Sequence, residues 1–293
     1  MNTDKDKVLI SFCNPILGSK AGLLVLDIDS ENKTYLLNTN VGVTGLAQDE
    51  KYIYVLNQIS NIYIFNKETY SLYLSQKLDN LIDPHSLIIE NEFLYIVSTG
   101  NDQVLKYRFD EDNMIISYVA SVWKPDDSNG DADTHHINSI FKNINGIFIS
   151  AFGKKDKKWS SAKNGYILNI NTDKKKIEKI YHPHSLSMSG KDYYYCESST
   201  RSVIKNTKKI ITLNKGYVRG LAFDGRYLLL GTSSGRKNSK STGEVNNPAE
   251  DGILEENCKL LVYKKNFFGK YKFMKEFDFS TEHQEIYDII IMK

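Results

Sequence analysis

One pattern of apolar and polar positions recurs along the chain. A short apolar strand, a polar turn and a second strand rich in Tyr, Phe and Ile follow one another repeatedly. The full copies are VTGLAQDEKYIYVLN from Val43, PHSLIIENEFLYIVS from Pro84, HINSIFKNINGIFIS from His136, PHSLSMSGKDYYYCE from Pro183 and VRGLAFDGRYLLLGT from Val218. A further start, EIYDIIIM from Glu285, contains the first strand only. Such repetition indicates one structural unit per copy, and the residue types favour strands over helices.

The spacing of the copies predicts the architecture. Their equivalent positions are 41, 53, 46, 35 and 68 residues apart, at Gly45, Ser86, Ser139, Ser185, Gly220 and Asp288. Third strands follow the five full copies, and fourth strands can be recognised in most. Four antiparallel strands every ~40–45 residues are typical of a β-propeller blade.

The two chain ends complement each other. The last copy stops after one strand, and the N-terminal segments VLISF, LLVLDI and TYLLN supply three more. Pairing both ends in one sheet removes its open edge. The sequence therefore predicts an all-β protein with a single domain over 1–293, a six-bladed β-propeller whose last blade combines the C-terminal strand with N-terminal ones. The alternative, a β-sandwich, does not explain the complementary ends.

Three connections are longer than the compact repeat requires. They are residues 124–135, 153–164 and 233–258. In a propeller they lie at the same end as the starts of the first strands, so we expect them on one face. Long loops in compact domains are usually functional or disordered, which makes this face the predicted ligand site and leaves open whether 233–258 is a lid or a disordered insertion.

Composition narrows the function class. Lys and Arg number 38 against 36 Asp and Glu, without the basic excess typical of nucleic-acid binders. The chain contains neither a membrane-length apolar run nor a signal-peptide pattern. The three cysteines, Cys13, Cys196 and Cys258, are odd in number and far apart, which favours a reducing compartment. We expect a cytoplasmic protein with no nucleic-acid or membrane partner.

Histidines concentrate at the strand starts. His85, His136 and His184 lie at the starts of three copies, and His135 and His182 flank two of them. Because equivalent blade positions point toward a common axis, we expect the first three to approach one another. Three imidazoles suit a divalent transition metal such as Zn or Mn. Without a metal, His136 and His184 suit acid–base catalysis. Structural hydrogen bonds between copies are the third interpretation.

Other polar residues are expected at the same face. Glu197 is a candidate catalytic residue or the ion-pair partner of an arginine. Arg219 suits a bidentate contact to a carboxylate or phosphate. Trp159 suits stacking on a sugar, or packs under its own loop. The complete predicted substrate-binding set is Asn138, Trp159, Arg219, Arg236, Glu285 and Asp288.

The chain lacks several nucleotide and hydrolase signatures. It contains no GxxxxGK[ST], no GxGxxG in a βαβ setting and no GxSxG, so no nucleotide cofactor is expected. The sequence predicts an enzyme, a lyase or hydrolase, acting on an anionic or polyhydroxylated small molecule such as an acidic sugar or its conjugate. The alternative is a non-catalytic binding module for a ligand or protein partner.

These motifs together resemble a family of uncharacterised bacterial propeller proteins. The resemblance rests on His136-Ile137-Asn138, Trp159, Pro183-His184-Ser185, the RGLAF run from Arg219, the GTS run from Gly231 with Arg236, and the EIYD run from Glu285. It spans roughly residues 130 to 292 and implies a propeller without supplying a reaction. Leu186, where the family tends to have Pro, and Gly235 depart from its pattern and put the local loop geometry in doubt.

Overall fold

The computed structural model describes residues 7–15, 20–154, 163–234, 257–267 and 269–292. The chain divides into two compact units, residues 41–186 and residues 1–40 with 187–293. The prediction of a single domain stays a prediction. In the described part of the chain, no helix is long and apolar enough to span a membrane.

Three four-stranded antiparallel sheets lie in the unit of residues 41–186. Each sheet takes four strands in chain order, because short polar turns join consecutive strands. The strands are β4 (Val43–Gln48), β5 (Tyr52–Asn57), β6 (Asn61–Asn66) and β7 (Leu72–Lys77); β8 (Pro84–Glu90), β9 (Phe93–Ser98), β10 (Gln103–Asp110) and β11 (Ile115–Trp123); and β12 (Ile137–Asn143), β13 (Gly146–Ala151), β14 (Gly165–Asn169) and β15 (Lys174–Ile180).

The next sheet contains β16 (Pro183–Ser189), β17 (Asp192–Glu197), β18 (Ser202–Lys205) and β19 (Lys208–Thr212). The boundary between the two units falls within β16. Short 3-10 turns, Thr99–Asn101 and Ser198–Thr200, follow β9 and β17.

An eight-stranded sheet joins the two ends of the chain. Its strands are β20 (Tyr217–Phe223), β21 (Tyr227–Ser233), β22 (Lys259–Lys265), β23 (Tyr271–Asp278), β24 (Glu285–Ile291), β1 (Lys7–Cys13), β2 (Ala21–Asp27) and β3 (Lys33–Thr39). β24 pairs antiparallel with β1, from Val8 opposite Ile291 to Cys13 opposite Glu285. It also meets β21 through Ser233 and Glu285. The predicted pairing of the C-terminal strand with the N-terminal strands is therefore present.

Burial of apolar side chains explains why the chain ends stay in this sheet. Phe12 of β1, Leu24 of β2 and Ile286 of β24 belong to one core cluster and are fully buried. Each such side chain contributes about 1.5–3 kcal/mol relative to an exposed position. The N-terminal strands are thus part of the core rather than an appendage.

The sheets share one local design. β4, β8, β12 and β20 each contain a β-bulge near the start of the strand. Hydroxyl groups link neighbouring sheets, as Thr44 Oγ1 donates to the carbonyl of Pro84 and Ser198 Oγ to that of Val218. Repeated four-stranded antiparallel sheets of this kind form an all-β arrangement of the β-propeller type.

Candidate functional site

Buried histidines gather in the unit of residues 41–186. The rings of His85 and His136 meet edge to face, with centroids 5.1 Å apart. The ring of Phe152 lies 4.5 Å from that of His136 and 5.1 Å from that of His184 between centroids. Phe152 also stacks on His182 at 4.5 Å. Ring contacts thus connect the three predicted histidines, with His136 and His184 against Phe152 and His85 against His136, and each is less than a tenth exposed.

The strand register corrects one sequence-based equivalence. His85 is the bulged residue of β8, and the bulged residue of β12 is Asn138. His136 corresponds instead to Asp83, since each precedes its bulge by two residues and has a left-handed backbone, with φ of 52° and 46°. The assignment of His136 to the position of His85 was therefore wrong. His136 reaches the cluster from this different backbone position.

A carboxylate holds the ring of His136. His136 Nδ1 lies 2.9 Å from Asp133 Oδ2, and an ionised carboxylate can only accept. The proton therefore sits on Nδ1, and Nε2 is the basic nitrogen. His85 has a similar neighbour, because its Nε2 is 3.4 Å from Asp83 Oδ2.

His184 is oriented by the backbone instead. Its Nδ1 donates to the carbonyl oxygen of His182 at 3.1 Å. His184 therefore presents Nε2 as its basic nitrogen, as His136 does. Both imidazoles thus have Nε2 as the nitrogen that can take up a proton in acid–base catalysis.

Asp102 anchors the segment that carries Asp133. Its Oδ2 accepts hydrogen bonds from Thr134 N at 2.6 Å, Thr134 Oγ1 at 2.5 Å and His135 N at 2.8 Å. Burial raises the pKa of Asp102, although these three donors act in the opposite direction. Because Asp133 directly precedes Thr134, the anchor sets where the Asp133 carboxylate lies.

His135 ties the same segment to the sheet. Its Nε2 donates to Asp127 Oδ1 at 2.9 Å, which leaves Nδ1 to accept from the Tyr166 hydroxyl at 3.1 Å. Asp127 also pairs with Lys154 at 2.9 Å, and the Lys154 ammonium lowers the pKa of Asp127. The inserted segment 124–135 is therefore fixed at several points.

Asn138 is engaged inside the fold. Its Oδ1 accepts from Ser150 Oγ at 2.8 Å, and its Nδ2 donates to the carbonyl of His136 at 3.4 Å. Ser150 in turn shares a short hydrogen bond with Ser139. Asn138 thus supports the backbone beside His136, and its predicted contact with substrate stays a prediction.

A second polar cluster lies in the other unit. Glu285 Oε2 accepts from Arg219 Nη1 at 3.2 Å, Asn14 Nδ2 at 2.9 Å and Cys13 Sγ at 3.4 Å. Both charged side chains are buried. The guanidinium of Arg219 also lies 5.1 Å from the ring centroid of Tyr287. The structure thus pairs Arg219 with Glu285, two residues of the predicted substrate-binding set.

Glu197 and Asp288 each form hydrogen bonds within the fold. Glu197 Oε2 accepts from Thr200 Oγ1 at 2.6 Å. Asp288 Oδ1 accepts from the amide of Ile289 at 2.9 Å, and the amide of Asp288 donates to Ser11 Oγ at 3.0 Å. Trp159, Arg236 and most of the insertion 233–258 lie outside the described residues.

The metal interpretation gains no support from ligand placement. Within the described ranges, no group of three or more His, Cys, Asp or Glu side chains is arranged to hold a metal ion. The prediction of a Zn or Mn site at His85, His136 and His184 stays a prediction.

Sequence reasoning missed the residues that organise the cluster. Asp83 and Asp133 stand two and three residues before their histidines, and that short acid-to-histidine spacing was an available signal. Asp102 is 33 residues from the amide of His135 that it binds. Phe152 directly follows the apolar strand β13 and carries no signal that separates it from core residues.

Comparisons with known proteins show the family and the fold. Residues 22–293 match the family described as Domain of unknown function (DUF4915). A search of curated proteins finds no match to the sequence.

Several solved structures are similar in fold. A chain of a nidogen/laminin complex matches with a TM-score of 0.64, 10% identity and 97% coverage of both chains. A protein from Lactobacillus plantarum matches with a TM-score of 0.59, 11% identity and 98% and 99% coverage. A Bacteroides fragilis protein provisionally described as a 6-phosphogluconolactonase matches with a TM-score of 0.56, 12% identity and 100% and 99% coverage. These similarities support the propeller-type fold.

Proposed function

We propose that this chain, which belongs to the DUF4915 family, is an enzyme that uses histidine acid–base chemistry. Its substrate is an anionic or polyhydroxylated small molecule, such as an acidic sugar or its conjugate, and the reaction is a lyase or hydrolase step. The observation that carries the proposal is the 2.9 Å hydrogen bond between Asp133 and His136, with the ring of His85 beside it.

The chemistry follows from this pair. Asp133 fixes the Nδ1–H tautomer of His136, so Nε2 takes a proton from a substrate or water and later returns it. While Nε2 holds the proton, the Asp133 carboxylate stabilises the imidazolium of His136. A positioned acid–base group of this kind typically contributes about 10²–10⁴-fold to the rate. His184, with the same tautomer, is proposed as the second acid–base group.

The polar groups of the cluster support this substrate class. Imidazoles and carboxylates together accept and donate hydrogen bonds, which suits hydroxyl-rich molecules. The name given to the Bacteroides fragilis protein adds sugar lactones to the substrates to be tested. Arg219, Glu285 and Glu197 in the other unit remain proposed substrate-binding or catalytic residues.

The proposal also includes a six-bladed architecture and a cytoplasmic location. We assign the four four-stranded sheets and the two halves of the eight-stranded sheet to six blades of one domain. Cys13, Cys196 and Cys258 are buried thiols that form no disulfide in the structure, which is compatible with the proposed cytoplasmic location.

The first experiment is a turnover screen with a chemical rescue. Sugar lactones, uronic acids, sugar phosphates and nucleotide sugars are incubated with the protein, and products are followed by NMR. We expect turnover of one class, a loss of about 10²-fold or more in His136→Ala, and partial recovery with added imidazole. A purely structural role for His136 would not give imidazole rescue.

The matched control is His283→Ala, which removes a buried histidine of the other unit. It should retain wild-type turnover of the same substrate per folded molecule. Equal loss in both variants, or full activity in His136→Ala, would contradict the assignment of His136.

A binding module is the second candidate, and one observation favours it. The four histidines in ring contact, His85, His136, His182 and His184, are each less than a tenth exposed, so a substrate would reach only their edges. Binding of a member of the same set without turnover, unchanged in His136→Ala, would establish this alternative.

Metal content is a separate test. Elemental mass spectrometry compares the metal content of the untagged protein with that of the double variant His136→Ala/His184→Ala. About one equivalent of Zn, Mn, Fe or Cu, lost in the double variant, would support the metal-assisted form of the proposal. The same metal content in both proteins would rule out these ligands.

A further inference from the structure

Three buried oxygen atoms in the unit of residues 41–186 accept no hydrogen bond from the described residues. They are Oδ1 of Asn101, Oδ1 of Asp102 and Oδ1 of Asp133. The side chains of Asn101 and Asp102 are less than a tenth exposed. Buried polar atoms are nearly always paired, so an orphaned oxygen points to a group outside the chain. Because amide and carboxylate oxygens only accept, that group is a hydrogen-bond donor or a cation.

The three oxygens belong to segments that touch. Asp102 Oδ2 accepts from the amide of Thr134 at 2.6 Å. Asp133 directly precedes Thr134, so standard peptide dimensions put the Cα atom of Asp133 within about 5 Å of that oxygen. Burial and the charge of Asp133 both raise the pKa of Asp102, which agrees with this proximity. Asn101 is the neighbour of Asp102 in the turn after β9.

The two carboxylates have no basic partner in the described part of the chain. Lys154 pairs with Asp127, and Lys124 donates to backbone carbonyls of its own segment. Two like charges that are buried close together require a counter-charge, because the protein interior solvates ions poorly. A water molecule supplies hydrogen bonds but no charge. The three donors to Asp102 Oδ2 favour its ionised form and so oppose neutralisation by a proton.

We propose that the Oδ1 atoms of Asn101, Asp102 and Asp133 bind a hydrated divalent cation, Mg²⁺ or Ca²⁺. A donor set made only of oxygen atoms suits these hard cations rather than Zn or Cu. Mg²⁺ is held by one or two carboxylates and keeps several waters. The site therefore needs no third acidic side chain, and the described residues arrange no group of three or more His, Cys, Asp or Glu around a metal.

This site is separate from the imidazole nitrogens and independent of the proposed catalysis. Asp133 contacts His136 through its other oxygen, Oδ2. The cation joins the inserted segment 124–135 to the turn after β9, on the side of the Asp102 carboxylate opposite to its three donors. Since only two ligands are charged, we expect a weak site, with a Kd of about 0.1–1 mM.

Thermal unfolding and calorimetric titration of the full chain test the proposal. The protein is first stripped with EDTA, and MgCl₂ and CaCl₂ are then compared with KCl at equal ionic strength. We expect saturable binding of at least one divalent cation. At 10 mM that cation should raise the Tm by about 2–4 °C, because it binds the folded chain only. KCl should give neither effect.

Asp133→Asn keeps an oxygen that accepts from His136 but removes one charged ligand. We expect this variant to bind the cation at least about tenfold more weakly and to lose the Tm shift. Asp131→Asn is the matched control, because it removes the same charge from an exposed position of the same segment and should bind like wild type. Asn101→Ala keeps both carboxylates and should bind several-fold more weakly. Circular dichroism confirms that each variant is folded.

Paramagnetic Mn²⁺ locates the cation, since it takes oxygen ligands as Mg²⁺ does. It should broaden the amide NMR signals of residues 101–103 and 131–135 first in the wild type, and not in Asp133→Asn. The absence of saturable Mg²⁺ and Ca²⁺ binding by the wild type would overturn the proposal. Wild-type affinity in Asp133→Asn, equal weakening in Asp131→Asn, or broadening centred on other residues would overturn it equally.

Discussion

Single buried polar groups determine the geometry of the histidine cluster. Asp102 is fully buried, and one of its oxygens receives three hydrogen bonds from Thr134 and His135. No local pattern in the sequence marks this residue, because its partners are more than 30 positions away. Its contribution is nevertheless large, since an unsatisfied buried donor costs about 1–3 kcal/mol.

Replacing Asp102 should therefore destabilise the protein. We expect Asp102→Ala to lower the free energy of unfolding by about 2–4 kcal/mol, because several buried donors lose their acceptor. Urea unfolding followed by fluorescence measures the change. Asp112→Ala, at an exposed turn, is the control and should stay within about 0.5 kcal/mol of wild type. A similar small effect at Asp102 would show that the anchor is dispensable.

Arg219 and Glu285 give a second residue-scale prediction. Removing one member of a buried ion pair leaves an uncompensated charge and costs about 3–5 kcal/mol, whereas removing both costs less. We expect Arg219→Met and Glu285→Gln each to be strongly destabilising and the double variant to be more stable than either. A double-mutant cycle by urea unfolding measures this coupling. Additive losses would mean that the 3.2 Å contact contributes no pair energy.

At the scale of elements, His283 holds the connection between β23 and β24. Its Nδ1 donates to the carbonyl of Lys20 at 2.6 Å, and its ring stacks on Phe12 with centroids 3.8 Å apart. Its Nε2 lies 2.8 Å from the Tyr35 hydroxyl. The connection is thus tied to strands β1 and β3 of the eight-stranded sheet.

This packing makes stability depend on pH. Burial lowers the pKa of His283, so in acid the unfolded chain binds a proton that the folded chain does not. The free energy of unfolding should therefore fall as the pH drops below the ordinary histidine pKa of about 6.5. Between about pH 7.5 and 5.5, we expect the free energy of unfolding of His283→Gln to decrease less than that of the wild type, as measured by urea unfolding. An identical pH dependence in the variant would contradict this assignment.

At the scale of the whole molecule, the boundary between the two compact units falls inside the strand β16. If one unit unfolded alone, one end of β16 would melt, and the strand would lose hydrogen bonds there while its other end stayed paired. We therefore expect a single calorimetric transition, with an enthalpy of about 200 kcal/mol that equals the van't Hoff value. Glu285→Gln should shift the entire transition. Two transitions, of which only one shifts, would show that the units unfold independently.

The repeat and the pairing of the chain ends followed from the sequence alone. Strand alternation and turn residues are local signals, and a missing strand at one end with spare strands at the other is visible without coordinates. The concentration of histidines at strand starts was equally visible. β24 and β1 pair as that reasoning required.

The chemistry of the cluster was decided only by the tertiary structure. The bulges of β8 and β12 place Asn138, rather than His136, at the position of His85, so His136 reaches the cluster from a backbone position two residues earlier. The partnership of Asp133 with His136 depends on how Asp102 anchors a distant segment. The local sequence determines the alternation of buried and exposed positions. The direction of a buried polar side chain depends instead on the partners that folding brings to it.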